Sequence, residues 1–361
     1  MNNTLPVITF NRGVPPPESF PKGLLADCAQ QVLKKAGDIL LQYGNSSGYP
    51  PLREWIADQH HAISSNVIAG QGSLQLLDHF VHACLQPGDL VFVEQPTYDR
   101  VLNIFKRAGI HLRGYELKNG SLDLLNIEKD LQKGIIPKYF YLIPDFQNPS
   151  GSSMPLDHRK QLLMLADEFD FQLIEDGPYR HLRYTGLGLP SLYEMDAEHV
   201  IHMSSFSKLI SPGLRVGYLV GQADLIERAV KRAEDTYISP SCLDQAIVLE
   251  FIQRGLMDEH VVQLKNLYRP RLRAMLSALE DYLSEHIEWL VPEGGFFVGA
   301  LLKPAFKIQR DLILRRKGIQ LSDSRGFFLE GGDQFIRLPF CALTPVQIHE
   351  GITRLKSFFE D

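Results

Sequence analysis

Short apolar runs alternate with amphipathic segments through the middle of the chain, and this alternation restricts the fold more than any other feature of the sequence. We predict buried strands at residues 90–93, 139–143, 172–174, 200–203 and 216–220. Apolar residues at helical spacing predict helices at 74–85, 98–108, 156–169 and 225–232. Such alternation indicates an α/β fold with an open, mainly parallel sheet covered on both faces. Ligands bind such sheets at the carboxyl ends of the strands.

The segments outside this region predict a second, smaller domain of mixed α+β structure. Residues 10–21 are rich in Pro and Gly and predict an extended arm rather than a helix or a strand. Further helical patterns occur at 24–41, from Leu52 onward and at 243–283, and apolar runs occur at 296–302 and 335–338.

The chain has 361 residues, more than one hydrophobic core usually serves, so we predict two domains that share a cleft. Residues 1–45 form the arm and part of the smaller domain, 46–270 form the large domain that holds the ligand, and 271–361 complete the smaller domain.

Composition narrows the range of functions. Hydrophobic residues make up 44% of the chain and charged residues 22%, which is typical of globular proteins. The net charge of -6 argues against nucleic acid as a main partner. We find neither a secretory signal nor an apolar run of membrane-spanning length, and the four cysteines lack the spacing of a metal site or a disulfide framework. These features predict a cytoplasmic protein without a metal or a membrane partner.

The most informative segment follows the apolar run at 200–203 and contains one lysine among several hydroxyls and an arginine. Ser205, Ser207 and Arg215 can donate hydrogen bonds to a phosphate, and Lys208 can bond covalently to an aldehyde on the same ligand. Pyridoxal phosphate carries both groups. The alternative is a serine-rich loop with a solvated lysine.

This segment, SSFSKLISPGLRVGY, resembles the lysine motif of fold-type-I pyridoxal-phosphate-dependent aminotransferases of class I/II, particularly the aminoadipate and kynurenine aminotransferase group. Upstream, Asn148-Pro-Ser-Gly151 resembles the family's NPxG turn, and Asp176-Gly-Pro-Tyr179 resembles its DxPY segment. The resemblance implies that Asp176 pairs with the pyridine nitrogen of the cofactor, and that Asn148 and Tyr179 bond its ring oxygen. A carboxylate beside the ring nitrogen keeps it protonated, which makes the ring an electron sink. Lys208, Asp176 and Tyr179 are therefore the predicted catalytic residues.

Other cofactor contacts are implied by the same resemblance. The triplet Gly72-Ser73-Leu74 resembles the family's phosphate cup at a helix N-terminus, where Leu74 offers only its backbone; taken alone, the triplet is also typical of a plain helix cap. Tyr98 stands where an aromatic residue stacks on the cofactor ring, although a core or surface tyrosine fits the pattern too. Tyr43 resembles a tyrosine that reaches the phosphate in the neighbouring subunit, which implies a homodimer.

Two arginines are candidates for substrate binding. Arg337 lies inside an apolar, strand-like run, where an unpaired guanidinium is costly. The resemblance implies that it binds the substrate α-carboxylate, beside Asn148, and the alternative is a structural salt bridge. Arg12 stands in the arm where the group commonly has glycine. It is a candidate for a distal substrate carboxylate or a neighbouring backbone group, and a solvated arginine is the alternative.

The predicted function is transfer of an amino group between an L-amino acid and a 2-oxo acid by a ping-pong mechanism through pyridoxamine phosphate, with glutamate and 2-oxoglutarate as one pair. A β-lyase on the same scaffold is one alternative, because nearly all of the motif residues serve the cofactor. The other is a catalytically weak ligand sensor, because residues 43–53 also resemble the aminotransferase-like domain of MocR-type regulators. Those regulators carry a winged-helix domain in front, and because few residues precede the arm we expect no such DNA-binding domain here.

Overall fold

The structure, a computed structural model, describes residues 6–304, 306 and 318–359. Its strands are β1 (Ile8–Phe10), β2 (Val67–Gly70), β3 (Leu90–Gln95), β4 (His111–Lys118), β5 (Ser121–Leu122), β6 (Tyr139–Leu142), β7 (Gln172–Asp176), β8 (Val200–Ser205), β9 (Gly217–Val220), β10 (Ile287–Trp289), β11 (Phe297–Leu302), β12 (Ile319–Leu321) and β13 (Phe335–Pro339). Its α-helices are α1 (Lys22–Leu40), α2 (Pro50–Gln59), α3 (Ser73–Cys84), α4 (Asp99–Arg107), α5 (Leu124–Gln132), α6 (Leu156–Phe169), α7 (Leu192–Met195), α8 (Ala223–Tyr237), α9 (Cys242–Gln253), α10 (Leu256–Leu283) and α11 (Pro345–Lys356).

Eight strands form the main sheet in the order β2-β9-β8-β7-β6-β3-β4-β5. The central strands β8, β7, β6, β3 and β4 run parallel to one another, whereas β9 runs antiparallel to both β2 and β8, and β5 runs antiparallel to β4. The mainly parallel α/β sheet predicted from the sequence is therefore confirmed, and all five predicted strands belong to it.

Side chains alternate between two buried layers along each central strand, as the pleat of a strand requires. Phe92, Phe140 and Leu173 face the layer that contains α5 and α6. Their neighbours in sequence face the opposite layer, which contains α3, α4 and α8. Because both faces of the sheet are covered by helices, polar ligands can reach it only at the ends of its strands.

Two predictions about local structure were wrong. Residues 243–283 form two helices, because Gly255 adopts φ 71° in the left-handed region and interrupts the helical pattern between α9 and α10. The arm is not wholly irregular either. Phe10 ends strand β1, which pairs in parallel with β12, and a 3₁₀ turn follows at Pro17–Ser19. Ile8 of β1 pairs with Ile319 of β12, more than 300 residues away in sequence. No local sequence pattern can therefore predict this pairing.

A second sheet, β10-β11-β13, is antiparallel and places Gly299 of β11 opposite Arg337 of β13. Helix α10 packs against α11, which also contacts β1 and β12. The predicted domain limits at 45/46 and 270/271 stay predictions, and the second of them falls inside the continuous helix α10. No helix in the described part of the chain is long and apolar enough to cross a membrane.

Candidate active site

A cavity of about 710 Å³ lies at the carboxyl ends of the central strands. Residues of the arm, Phe297 of β11 and Arg337 of β13 also line it. It brings together almost all of the residues singled out in the sequence: Arg12, Gly72, Ser73, Leu74, Tyr98, Asn148, Asp176, Tyr179, Ser205, Ser207, Lys208, Arg215 and Arg337. Tyr43 does not line this cavity, and its side chain is 75% exposed. Residues separated by more than 300 positions in the sequence thus meet at one site, as residues 12 and 337 show.

One end of the cavity is built to hold an anion. Gly72 precedes α3 with φ 91°, and a Cβ at this position would overlap the guanidinium of Arg215. A Cβ on Gly217 would overlap the backbone nitrogen of Ser73, so Gly72 allows the Arg215 side chain to approach the backbone and Gly217 allows two backbone segments to approach each other. The Arg215 guanidinium donates to the Gln71 carbonyl at 3.3 Å. Backbone N–H groups at the start of a helix and a guanidinium together suit a phosphate.

Two hydroxyls complete this anion site. The Ser205 hydroxyl donates to the Ser207 hydroxyl at 2.8 Å, and the backbone N–H of Ser207 donates to the Ser205 hydroxyl at 3.1 Å. Both serines are buried at the end of β8. Leu74 borders the same region as an apolar side chain, so it can contribute only its backbone, as expected from the sequence.

Asp176, the last residue of β7, is a buried carboxylate with one unused oxygen. The Tyr141 hydroxyl donates to its Oδ2 at 2.7 Å, whereas Oδ1 has no hydrogen-bond partner in the described structure. Burial raises the pKa of Asp176 to about 6, although the hydrogen bond from Tyr141 opposes the shift. A buried acceptor without a donor is costly, so this oxygen suits a cationic N–H group such as a protonated pyridine nitrogen.

Lys208 lies after β8 with its amine almost enclosed. Its Nζ donates to the Gly13 carbonyl of the arm at 3.4 Å and lies 5.8 Å from the centre of the Phe296 ring. Burial lowers the pKa of Lys208 below its usual range. An amine that loses its proton more readily is a better nucleophile toward an aldehyde and a better base.

Arg337 is a buried guanidinium held by neutral groups. It donates to the Asn148 side-chain carbonyl at 3.0 Å and to the Asn11 backbone carbonyl at 2.6 Å, and its Nε has no hydrogen-bond partner in the described structure. The guanidinium carbon of Arg337 lies 5.1 Å from the centre of the Phe297 ring and 4.5 Å from the centre of the Phe327 ring. No carboxylate among the described residues forms an ion pair with it, so the alternative of a structural salt bridge has no partner there. The guanidinium is free to bind a carboxylate.

The two tyrosines predicted to contact the cofactor ring lie between these groups. Tyr98 directly precedes α4 and borders the cavity, and Tyr179 is buried against the Phe296 and Phe297 rings, 5.4 and 5.8 Å away between ring centres. Burial raises the pKa of Tyr179 well above its usual range, so its hydroxyl stays protonated and can donate a hydrogen bond.

Sequence reasoning missed three groups that complete the site. Tyr141 was assigned only to a buried strand, Asn11 contributes a backbone carbonyl that no side-chain pattern reveals, and Phe327 comes from a short turn near the end of the chain. Period-two alternation along residues 139–143 could have placed Tyr141 on one face of the sheet, but only the pairing of β6 with β7 brings it to Asp176.

Replacing Asp176 with asparagine should stabilise the cofactor-free protein at neutral pH. The folded protein holds the proton of Asp176 more tightly than the unfolded chain, so the cost of its burial appears as pH rises from about 4 to about 6 and is fully present above that range. The cost corresponds to about 3 kcal/mol. Denaturant unfolding of the cofactor-free Asp176→Asn variant should therefore give a higher free energy of unfolding than wild type at pH 8, with the difference shrinking toward pH 4. Equal stabilities at pH 8 would contradict this account.

The groups around this cavity fit the parts of pyridoxal phosphate. The lysine amine fits its aldehyde, the unpaired buried carboxylate oxygen fits its ring nitrogen, and the anion site fits its phosphate. On an α/β sheet of this topology, they define the class of fold-type-I pyridoxal-phosphate enzymes.

Comparison with known proteins identifies the family within this class. The chain belongs to the family of class I and II aminotransferases, whose sequence profile matches residues 6–355. It is 33% identical to the aromatic-amino-acid aminotransferase 1 of Thermococcus litoralis, over 98% of this chain and 88% of the relative.

Solved structures agree with this assignment. The α-aminoadipate aminotransferase LysN of Thermus thermophilus, complexed with N-(5'-phosphopyridoxyl)-L-leucine, is 31% identical with a TM-score of 0.93, covering 98% of this chain and 92% of that chain. The kynurenine aminotransferase of Pyrococcus horikoshii is also 31% identical, with a TM-score of 0.94, covering 99% of this chain and 91% of that chain. The resemblance noted in the sequence is therefore confirmed, and the protein is a pyridoxal-phosphate-dependent aminotransferase.

Proposed function

We propose that this enzyme moves an amino group between an L-amino acid and a 2-oxo acid by a ping-pong mechanism, with glutamate and 2-oxoglutarate as one pair. The observation that carries the proposal is the convergence of Lys208, Asp176 and Arg337 on one cavity. Asp176 Oδ1 and Arg337 Nε have no hydrogen-bond partner in the described structure, and the Lys208 amine, which has three donors, makes a hydrogen bond to the Gly13 carbonyl at 3.4 Å. These three groups match the amine, the ring and the carboxylate that such a reaction must control.

Each residue has a distinct role in the proposed mechanism. When bound, pyridoxal phosphate supplies an aldehyde and an electron-withdrawing ring. Its phosphate would be held by Ser73, Ser205, Ser207 and Arg215. Its ring would be held by Asp176, Asn148, Tyr179 and Tyr98. Arg337 binds the α-carboxylate of the amino acid. Lys208 would hold the aldehyde in the absence of substrate and, as a free amine, would remove the proton from the substrate α-carbon; its lowered pKa makes it a suitable base.

A spectroscopic titration tests this proposal. The visible absorption band of the lysine-bound cofactor should disappear when an L-amino acid donor is added, and it should return after dialysis and addition of 2-oxoglutarate. A band that stays constant with every amino acid would contradict transamination. Release of pyruvate and ammonia from a cysteine conjugate, without loss of the band, would favour a β-lyase instead.

The proposed assembly is a homodimer in which Tyr43 reaches the phosphate end of the neighbouring subunit's cavity. Tyr43 lies away from the cavity of its own chain and is exposed, as are the nearby apolar side chains of Ile39 and Leu41, which are 73% and 71% exposed. Exposed apolar side chains grouped around a candidate ligand residue support burial against a second copy. The cytoplasmic location likewise stays a prediction.

Mixing two variants that are each impaired at limiting cofactor tests whether Tyr43 acts across the interface. We expect Tyr43→Ala to bind the cofactor about 10-fold more weakly, because one phosphate hydrogen bond is lost. A hybrid dimer of this variant with Lys208→Ala should contain one cavity with both native residues, so activity at limiting cofactor should reappear on mixing. If Tyr43 served its own subunit, no cavity of the hybrid would be complete and mixing would restore nothing.

Arg12 is the proposed determinant for donors with a second carboxylate. It lies on the arm at the mouth of the cavity, it is exposed, and the described residues offer it no hydrogen bond or ion pair. We expect Arg12→Ala to lower kcat/KM for dicarboxylic amino acids by about 10-fold while leaving neutral amino acids unchanged. Arg107→Ala, at the far end of α4 and outside the cavity, serves as the control. An unchanged preference for dicarboxylic donors would exclude this role.

A further inference from the structure

Asp176, at the end of β7, accepts a hydrogen bond from a tyrosine that the family motifs do not include. Tyr141 is completely buried on β6, and its hydroxyl donates to Asp176 Oδ2 at 2.7 Å. Burial and the neighbouring carboxylate raise the pKa of Tyr141 well above its usual range, so the hydroxyl acts as a donor and not as a base. It satisfies one oxygen of Asp176 and leaves the other, Oδ1, for a ligand.

Other charged groups lie near Asp176, but they do not hold it. Glu175 accepts from His202 at 2.9 Å and from the backbone N–H groups of Leu192 and Tyr193, so this pair is occupied on the other side of the strand. Glu94 accepts from the Ile143 backbone and from the side chain of Gln147. Among the described residues, the Tyr141 hydroxyl is the one group that donates a hydrogen bond to Asp176.

We propose that Tyr141 is a positioning residue that keeps the proton shared by Asp176 and the cofactor on the ring nitrogen. A hydrogen bond to a carboxylate favours its charged form, whereas burial favours the neutral form. With the hydroxyl in place, Asp176 stays ionised and the ring nitrogen keeps the proton. Without it, the buried carboxylate has no protein donor, and the same proton moves from nitrogen to Asp176 Oδ1. The effect on turnover rests on the proposed function; the position of the proton does not.

The test uses the enzyme loaded with pyridoxal phosphate that carries ¹⁵N in its ring, because the ¹⁵N chemical shift distinguishes a protonated from a neutral pyridine nitrogen. We expect Tyr141→Phe to retain the cofactor, to shift the ¹⁵N signal toward the neutral form and to lower kcat by about 10- to 100-fold. Tyr139→Phe is the matched control, since it removes another buried tyrosine hydroxyl from the same face of β6 without touching Asp176. It should give the wild-type signal.

A second variant separates the hydrogen bond from a packing effect. 3-Fluorotyrosine at position 141 keeps the ring and makes the hydroxyl a stronger donor, so the ¹⁵N signal should lie at the wild-type position or further toward the protonated form. A wild-type ¹⁵N signal in Tyr141→Phe, or the same shift toward the neutral form in the fluorinated enzyme, would overturn the proposal. Because the signal is recorded without substrate, it tests Tyr141 independently of the proposed ping-pong cycle and its substrates.

Discussion

Replacing Lys208 with alanine is expected to lower turnover by about 10²- to 10⁴-fold, the usual contribution of a positioned general base, while pyridoxal phosphate stays bound. Binding should persist because the phosphate and the ring are held by other residues, including Arg215 and Asp176. The variant should lack the visible band of the lysine-bound cofactor but retain the cofactor after gel filtration.

The role of Lys208 as a proton carrier can be separated from its role as an anchor. A small primary amine, such as methylamine, fits the space left by the side chain and should restore part of the activity of Lys208→Ala, in proportion to its basicity. Lys265→Ala, which removes a lysine outside this cavity, is the control and should behave as wild type. Normal turnover of Lys208→Ala would exclude the proposed mechanism.

The main sheet could be predicted because its signals are local. The apolar runs that became β6, β7 and β8 are bounded by helical patterns, and the alternation leaves few arrangements other than a parallel sheet. Strands β2 and β4 were missed because their sequences lack such a local signal. Four residues of β2 and the mixed polar sequence of β4, which lies near the edge of the sheet, carry no distinct local pattern.

Side chains of the candidate site were predictable where chemistry restricts the residue type. Lys208 and Asp176 have few substitutes for their tasks, and a buried arginine such as Arg337 stands out because an apolar run does not otherwise contain one. The contacts that orient these groups were not predictable. Tyr141 and Phe327 are ordinary core residues in sequence, and only the pairing of strands and the path of the turn before β13 bring them to the site.

Removing the guanidinium of Arg337 is expected to lower kcat/KM for amino acids by about 10²- to 10³-fold, the effect of deleting one partner of a buried charged hydrogen-bonded pair. The site is prepared for an anion, since Arg337 is already oriented by Asn148 and by the Asn11 carbonyl and has no carboxylate partner among the described residues. The loss should fall mainly on KM if the α-carboxylate is bound equally in the ground state and the transition state.

Two comparisons identify the carboxylate as the group that Arg337 binds. Arg337→Lys keeps the charge but not the two-pronged geometry, so it should lie between the wild type and Arg337→Ala. Primary amines without a carboxylate should be converted equally slowly by all three enzymes, because they have nothing to offer the guanidinium. If Arg337→Ala impaired such amines as strongly as amino acids, with the cofactor band unchanged, Arg337 would support the architecture of the cavity and another group would have to bind the substrate carboxylate.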